Sequence, residues 1–339
     1  MAKEKQTQRE HYVPQSYLRR FTFDGKLLHV FDKFSQAGRV ANTKDVAQER
    51  YFYDIPLNAI KPGAANPHKE HDSQLEEKAL CELESSFTDA YNAVLKIPET
   101  HSLLAEHRKK MALCVTVQYL RTRTARNWMI EFYEKGTEAI LNTVLKMASA
   151  LANTDHADKL KVVVEKYNKP MAAILHGSFM WNPELVSKLA ATLYHQIWLV
   201  CVNETSQPLY TSDHPVVTQS QLRQAPPTAS QPGEVLVESD SGLPAFGSRG
   251  VEVMFPLTPD RMFVALDREH FEQIAEFEYT SARLHPSAVE RYNRLQILQS
   301  YRQVFCSTDS FELARKVCAE HPEVCSPNRD TVEVNFYEG

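Results

Sequence analysis

The chain reads as an α+β protein, with a helix-rich central part and a mixed or antiparallel sheet built from N-terminal and C-terminal strands. Two observations predict this. Between residues 73 and 196 apolar residues recur with the helical period. Outside that stretch they come in short β-branched and aromatic runs bounded by Pro, Gly, Asn and Asp.

Residues 1–9 read as a polar tail ahead of one domain over 10–339. Val13 to Leu18 suits a short helix with Pro14 in its first turn, where a missing N–H costs little. Asp24-Gly25 signals a turn, and Lys26 to Asp32 then reads as a strand. Thr43 is expected to cap a short helix over Lys44–Gln48, and Tyr51-Phe52-Tyr53 to form a strand. Residues 55–72 carry Pro56, Pro62, Gly63 and Pro67 and read as a loop. Ser73 and Glu76 form a capping box that opens a helix running to about Lys96. A longer helical pattern spans about 103–151, with an expected break near Gly136, and helices over 156–168 and 183–196 follow.

Ile197 to Val202 reads as a buried strand, and Leu209–Thr211 and Pro215–Val217 flank a turn. Residues 218–250 read as a long loop, rich in Pro, Gly, Ser and Gln; a loop of that length in a compact domain is usually functional or disordered. Strands at 251–256, 261–266, 303–307 and 331–337 and helices near 268–276, 286–301 and 309–320 complete the chain.

Composition sets outer limits. The net charge of −5, from 38 basic and 43 acidic side chains, is a poor match to duplex nucleic acid, where phosphate neutralisation dominates affinity. The charge is uneven, however. Residues 1–60 hold ten basic and seven acidic side chains, and residues 101–170 hold twelve and seven, so either a cationic face or ordinary solvated helices fit. No apolar run approaches the roughly 18 residues of a membrane span, and no secretory signal is evident. Six scattered cysteines without a C-x-x-C pair suit free thiols in the cytoplasm.

Several polar residues stand where a plain core would be apolar. On the helix over 73–96, Leu75, Leu80, Leu83, Phe87 and Tyr91 define one face; Glu76 falls inside it and Glu84 at its edge. On the next helix Gln118, Thr122 and Arg126 share a face with Met111, Val115 and Tyr119, and Arg121 and Arg123 flank it. An inward arginine demands an anion for its fork of donors. That anion is either a carboxylate such as Glu76 or Glu84, or a bound phosphate or carboxylate ligand. His11, in a segment with Gln15 and Tyr17, is either a general acid/base or a packing residue. In Tyr210-Thr211-Ser212-Asp213-His214-Pro215, just after the buried strand, Asp213 either serves a site or bonds nearby backbone. His68 and His71 lack the spacing of a metal motif, and no Walker loop, G-x-G-x-x-G or G-x-S-x-G occurs.

These segments resemble the bacterial domain-of-unknown-function family 4238, whose members open with a pattern like His-Tyr-Val-Pro-Gln-x-Tyr-Leu-x-x-Phe, here His11 to Phe21. The resemblance extends through Glu49–Asp54, the helix bearing Glu84, Gln118 to Thr122 with Arg126, Thr211 to Pro215, Phe255 to Pro259 and the region of Asn293. It covers roughly residues 10–308. The third residue of the family's Ser-Asp-x-Pro turn is often Asn, and here it is His214. The resemblance implies these motif positions and no reaction.

Three functions fit the residues. The first is an enzyme acting on a phosphate-bearing substrate, a nucleotide or nucleic acid, with a nuclease-like effector of phage defence as one form. His11, Glu84 and Asp213 are its expected catalytic residues. Gln15, Tyr17, Gln118, Arg121, Arg126, Ser212 and Asn293 are its expected substrate contacts, and a divalent metal remains open. The second is a binding or sensor module without turnover. The third is a buried polar network that only fixes packing.

Overall fold

The structure, a computed structural model, describes residues 9–50, 52–53, 74–150, 177, 180, 182–222, 235–238, 246–329 and 333–336; the side chains at 74–79, 81, 137–150, 235–238 and 333–336 are not described. In chain order the elements are β1 (Arg9–His11), α1 (Gln15–Leu18), β2 (Leu27–Asp32), β3 (Ala37–Asn42), β4 (Gln48–Arg50), α2 (Gln74–Leu95), α3 (Ile97–Thr100), α4 (Ala105–Leu120) and α5 (Arg123–Ala150). Then come α6 (Pro183–His195), β5 (Ile197–Val202), β6 (Thr211–Ser212), β7 (Val217–Ser220), β8 (Val235–Glu238), β9 (Val251–Thr258), β10 (Arg261–Leu266), β11 (Ser281–Arg283), α7 (Pro286–Gln299), β12 (Gln303–Cys306), α8 (Glu312–Glu320) and β13 (Glu333–Phe336).

The class is α+β. A five-stranded sheet runs β11-β5-β10-β9-β7, with only β11–β5 parallel. A four-stranded antiparallel sheet, β3-β2-β12-β6, joins N-terminal to C-terminal strands. β1 pairs with β4 and β13 with β8.

Strand β5 shows why its run is apolar throughout. Trp198 and Val200 enter the main core with α2, α4 and α6, whereas Ile197, Leu199 and Cys201 pack on the other face with Val289 and Tyr292 of α7. A strand covered on both sides has no solvated face to alternate with. The second sheet is covered similarly: Phe31, Val304 and Cys306 meet α7 and α8 through Ile297 and Val317. Helix α4 lies between α2 and α6.

Local chemistry sets the boundaries. Gly25 has φ +82, and Asp24 Oδ1 accepts from Lys26 N at 2.9 Å and Leu27 N at 2.6 Å, closing the turn into β2. Asn182 caps α6 by accepting from Glu184 N and Leu185 N, both at 3.0 Å, with Pro183 in the first turn.

Five expectations are corrected. Thr43 does not cap a helix: Thr43–Asp45 is one 3₁₀ turn, capped by Asn42, whose side-chain oxygen accepts from Lys44 N at 3.1 Å. The strand expected at Tyr51–Tyr53 lies earlier, at Gln48–Arg50, because β1 pairs there. The long helical pattern breaks at Arg121-Thr122 and not at Gly136. Thr122 Oγ1 accepts from Ala125 N at 3.3 Å and opens a new helix there, while Gly136 sits within α5. The 218–250 stretch is not all loop, since β7 runs to Ser220 and β8 lies inside it. Near 268–276 the helix is a 3₁₀ segment, Glu272–Phe277. The expected loop over 55–72, the capping box at Ser73–Glu76 and the helix over 156–168 lie outside what is described.

Candidate functional site

Arg121, the last residue before the α4–α5 break, organises the N-terminal half of the site. Its guanidinium donates to three acceptors: Tyr53 OH at 3.2 Å, Glu84 Oε1 at 2.7 Å and the His11 carbonyl at 2.7 Å. The Arg121 side chain is 4 % exposed and that of Glu84 26 %, so the pair sits at the edge of the core with its carboxylate toward the outside. Burial opposes the arginine's charge, but Tyr53 and Glu84 outweigh it and raise its pKa further. One helical turn earlier, Gln118 Nε2 donates to Tyr12 O at 3.1 Å. These bonds clamp the opening segment onto α4.

Beside this clamp lies a cavity of about 130 Å³ between α1, α2, α4 and β9. Leu80, Leu83, Phe87, Tyr91, Val117 and Phe255 give it an apolar wall. Glu84, Gln118, Arg121, Arg20, Ser16 and Thr88 add polar groups, and Tyr17 and Cys114 complete the lining. The Tyr17 hydroxyl is already engaged, donating to Pro256 O and lying 2.7 Å from Thr211 Oγ1, while its ring stacks on Phe255 at 5.0 Å. Burial pushes the Tyr17 hydroxyl and the Cys114 thiol up, the latter to about 12, so both stay protonated at neutral pH. Arg20 stands over the Tyr91 ring at 4.0 Å and gives one hydrogen bond, to Asn92 Oδ1 at 3.2 Å.

Of the residues singled out from sequence, Glu84, Arg121, Gln118 and Tyr17 meet at this cavity; His11, Gln15, Arg126, Ser212, Asp213 and Asn293 do not line it. His11 meets the cluster through its backbone carbonyl. Its ring faces the backbone of Thr43 and Lys44, its Nε2 is buried without a partner among the described residues, and burial lowers its pKa. Arg126 donates to Phe52 O and lies over the Phe52 ring at 5.0 Å.

The Thr211–Pro215 turn is a separate, fully buried assembly. Asp213 Oδ1 accepts from Tyr301 N, and Oδ2 from Arg302 N and Gln303 N, all at 2.8 Å. Burial pushes its carboxyl pKa up, and the three N–H donors with the Lys33 ammonium oppose that. Ser212 Oγ donates to Gln296 Oε1 at 2.7 Å, and Asn293 Oδ1 accepts from Tyr210 N at 2.7 Å. His214 Nδ1 lies 2.6 Å from Thr122 Oγ1, linking this turn to the start of α5.

Sequence reasoning missed Arg20, which lies in the opening motif but gave no sign of its aim, and Tyr53, whose hydroxyl is one of the three Arg121 acceptors. It also missed Arg108, buried on α4, which binds the Tyr194 and Gln196 carbonyls and Glu278 Oε1 at 2.7 Å. Among the described residues no group of three His, Cys, Asp or Glu side chains is arranged to hold a metal, and no helix is long and apolar enough to cross a membrane.

Fold and site together define an α+β protein that clamps its opening segment onto a central helix pair and leaves a small, part-polar cavity beside the clamp. The chain belongs to the family described as protein of unknown function DUF4238, which matches residues 9–310. No curated protein and no solved structure matches it.

Proposed function

We propose that the protein is a small-molecule binding or sensor module whose pocket is the cavity between α1, α2 and α4. The observation that carries this reading is the cavity itself: about 130 Å³ with an apolar wall and the Arg121–Glu84 pair set into one side. Apolar cavities near 150 Å³ accept a benzene-sized guest, and convergent polar groups on an apolar wall are the usual composition of a ligand site. The test is a thermal-shift screen of ring-sized compounds against wild type and Val117→Phe. Val117 is 8 % exposed and lines the cavity, so the added ring fills it. A guest at about 100 times its Kd stabilises the wild type by roughly 2.7 kcal/mol, and the filled variant loses that gain. Absence of any shift in wild type, or equal shifts in both proteins, overturns the reading.

One observation favours a second reading, an enzyme acting on a phosphate-bearing substrate such as a nucleotide or nucleic acid. Arg20 lines the cavity and, among the described residues, gives one hydrogen bond, to Asn92, so its remaining N–H groups suit a phosphate. A hydrolase or nuclease in the cytoplasm would then yield product from nucleotides or oligonucleotides, with or without added divalent metal, and Arg20→Ala would abolish it. The absence of product across such a panel leaves the binding module.

A further inference from the structure

Two free cysteines meet near the C-terminal end of the described chain. Cys318 lies in the last turns of α8, 1 % exposed, and Cys325 closes the 3₁₀ turn Pro322–Cys325 that follows. The chain doubles back there: His321 N donates to Val317 O at 2.8 Å, and Val324 N to His321 O at 3.2 Å. That return packs Cys325, partly buried, against the apolar cluster that holds Cys318, Val317 and Ala314. The two thiols come into hydrogen-bonding contact.

Two cations adjoin the pair. The Lys33 ammonium acts on both thiols, and the Arg329 guanidinium acts on Cys325. A positive, partly open setting favours the thiolate, which is the reactive form. Burial pushes the Cys318 thiol up to about 12, with Lys33 acting against it. Cys325, the more exposed of the two, is therefore the residue a reagent meets first. Arg329, just beyond the turn, donates to Leu298 O at 3.1 Å and Ser300 O at 2.8 Å, so the pair sits where this segment is fastened to the end of α7.

We infer that Cys318 and Cys325 form a reversible dithiol–disulfide couple that exchanges with low-molecular-weight disulfides of the glutathione type. The Cys325 thiolate attacks one sulfur of the small disulfide, forming a mixed disulfide and releasing one thiol. Cys318 then loses its proton and attacks the Cys325 sulfur, so the Cys318–Cys325 bond forms as the second thiol leaves. The protein gives up two electrons and two protons, and the small disulfide becomes two thiols. Sulfurs already in contact reach bonding geometry by side-chain rotation, without moving the backbone. The couple is independent of the proposed ligand pocket, which neither residue lines.

The experiment equilibrates the full chain, under nitrogen, in buffers of stepped oxidised-to-reduced glutathione ratio. Free thiols are then alkylated, and the unreduced digest is mapped by mass spectrometry. The expected product is a peptide carrying both residues, lighter by two hydrogens, without alkyl or glutathionyl groups, and restored by dithiothreitol. In urea the native contact is lost, so the folded chain is expected to be half-oxidised at a ratio about tenfold lower, or more, than the unfolded chain. In Cys318→Ala, Cys325 is expected to stop at the mixed disulfide. Alkylation of both thiols at every ratio, a glutathionyl group left on Cys325 of the wild type at equilibrium, or a link from either residue to another cysteine overturns the inference. Equal half-oxidation ratios with and without urea overturn it too, because the fold then contributes nothing to the couple. The wild-type measurements decide the matter even where Cys318→Ala does not fold.

Discussion

His214 makes the fold's stability depend on pH in a calculable way. The ring is fully buried, 0 % exposed, and its Nδ1 lies 2.6 Å from Thr122 Oγ1. The Thr122 hydroxyl also lies 3.3 Å from Tyr119 O, and the neutral imidazole can either give or take the proton between Nδ1 and Oγ1. Nε2 is buried without a partner among the described residues, so nothing there favours a second ring proton. Burial, with Arg329 adding repulsion, pushes its pKa from 6.5 down to about 3. The unfolded chain therefore takes up a proton near pH 6.5 that the folded chain refuses until about pH 3. Across that window the unfolded state binds more protons, so stability is full above it and is lost as pH falls. Between about pH 7.5 and about pH 5 this one group removes roughly 2 kcal/mol. His214→Asn retains an N–H donor for Thr122 and has nothing to titrate. Its stability is offset from wild type by a packing cost that does not vary with pH, and the gap between the two narrows by about 2 kcal/mol on acidification. Urea unfolding at both ends of that range measures the gap. A gap that stays constant would show that His214 is not held neutral, and the burial argument would fall.

Other perturbations separate structural from spare polarity. Arg121→Met leaves the Glu84 carboxylate without its cation and takes a donor from Tyr53 OH and the His11 carbonyl, which keep their mutual bond at 3.3 Å, and costs about 3–5 kcal/mol in urea unfolding; Arg121→Lys recovers little of it, because three diverging acceptors need a fork of donors. Asp213→Asn turns an N–H toward one of three backbone N–H groups and costs about 1–3 kcal/mol, with no effect on binding at the cavity, which Asp213 does not line. Lys33→Met removes the ammonium that helps to hold the buried Asp213 carboxyl ionised, and taking one partner from such a pair costs about 3–5 kcal/mol. The Lys33 ammonium bonds Ile297 O and Ser300 O, both at 2.7 Å, but Ser300 Oγ and Arg329 Nη2 donate to those same carbonyls. A loss below about 1 kcal/mol in Lys33→Met would show that the three backbone N–H groups hold the Asp213 carboxyl without it.

What the sequence made legible follows from pattern. Period-3.6 apolar spacing located α2 and α6, the continuous apolar run located β5, and Pro-Asp marked the β9–β10 turn. The helical wheel set Arg126 on the apolar face, Arg121 beside it and Glu84 at the edge of its own; an inward arginine needs an acceptor, and the structure joins Arg121 to Glu84 at 2.7 Å and Arg126 to Phe52 O. What stayed illegible is what depends on long-range contact. Asp213 finds its donors at Tyr301, Arg302 and Gln303, and no local spacing encodes a partner that far along the chain. The same holds for the helix break at Thr122, since the periodic pattern continues across it and only the cap to Ala125 and the contact with His214 reveal it. His11 illustrates a third limit: the motif around it is readable, yet its carbonyl joins the Arg121 cluster while its ring turns to Thr43 and Lys44.

The two polar assemblies differ in one respect that decides which can act on something outside the fold. Along α7, Asn293, Gln296 and Gln299 each use both amide atoms. Asn293 joins Tyr210 N and Pro208 O, Gln296 joins Ser212 Oγ and Pro215 O, and Gln299 joins Thr218 N and Thr218 O. These side chains replace strand partners for an irregular stretch of backbone that could not otherwise be buried. With Asp213 accepting three bonds, the amides of α7 and the Asp213 carboxylate are spent on the fold, while His214 Nε2 and Thr218 Oγ1 are buried there without a partner among the described residues. The Arg121 cluster keeps hydrogen-bonding groups to spare among the described residues, at Glu84 Oε2, Gln118 Oε1 and part of the Arg121 fork, and the cavity between α1, α2 and α4 adjoins it. Polar residues in a core mark function when capacity is left over where space is left over. By that criterion the proposed binding site is placed with α2 and α4, and the Ser-Asp-His-Pro turn is read as holding the fold.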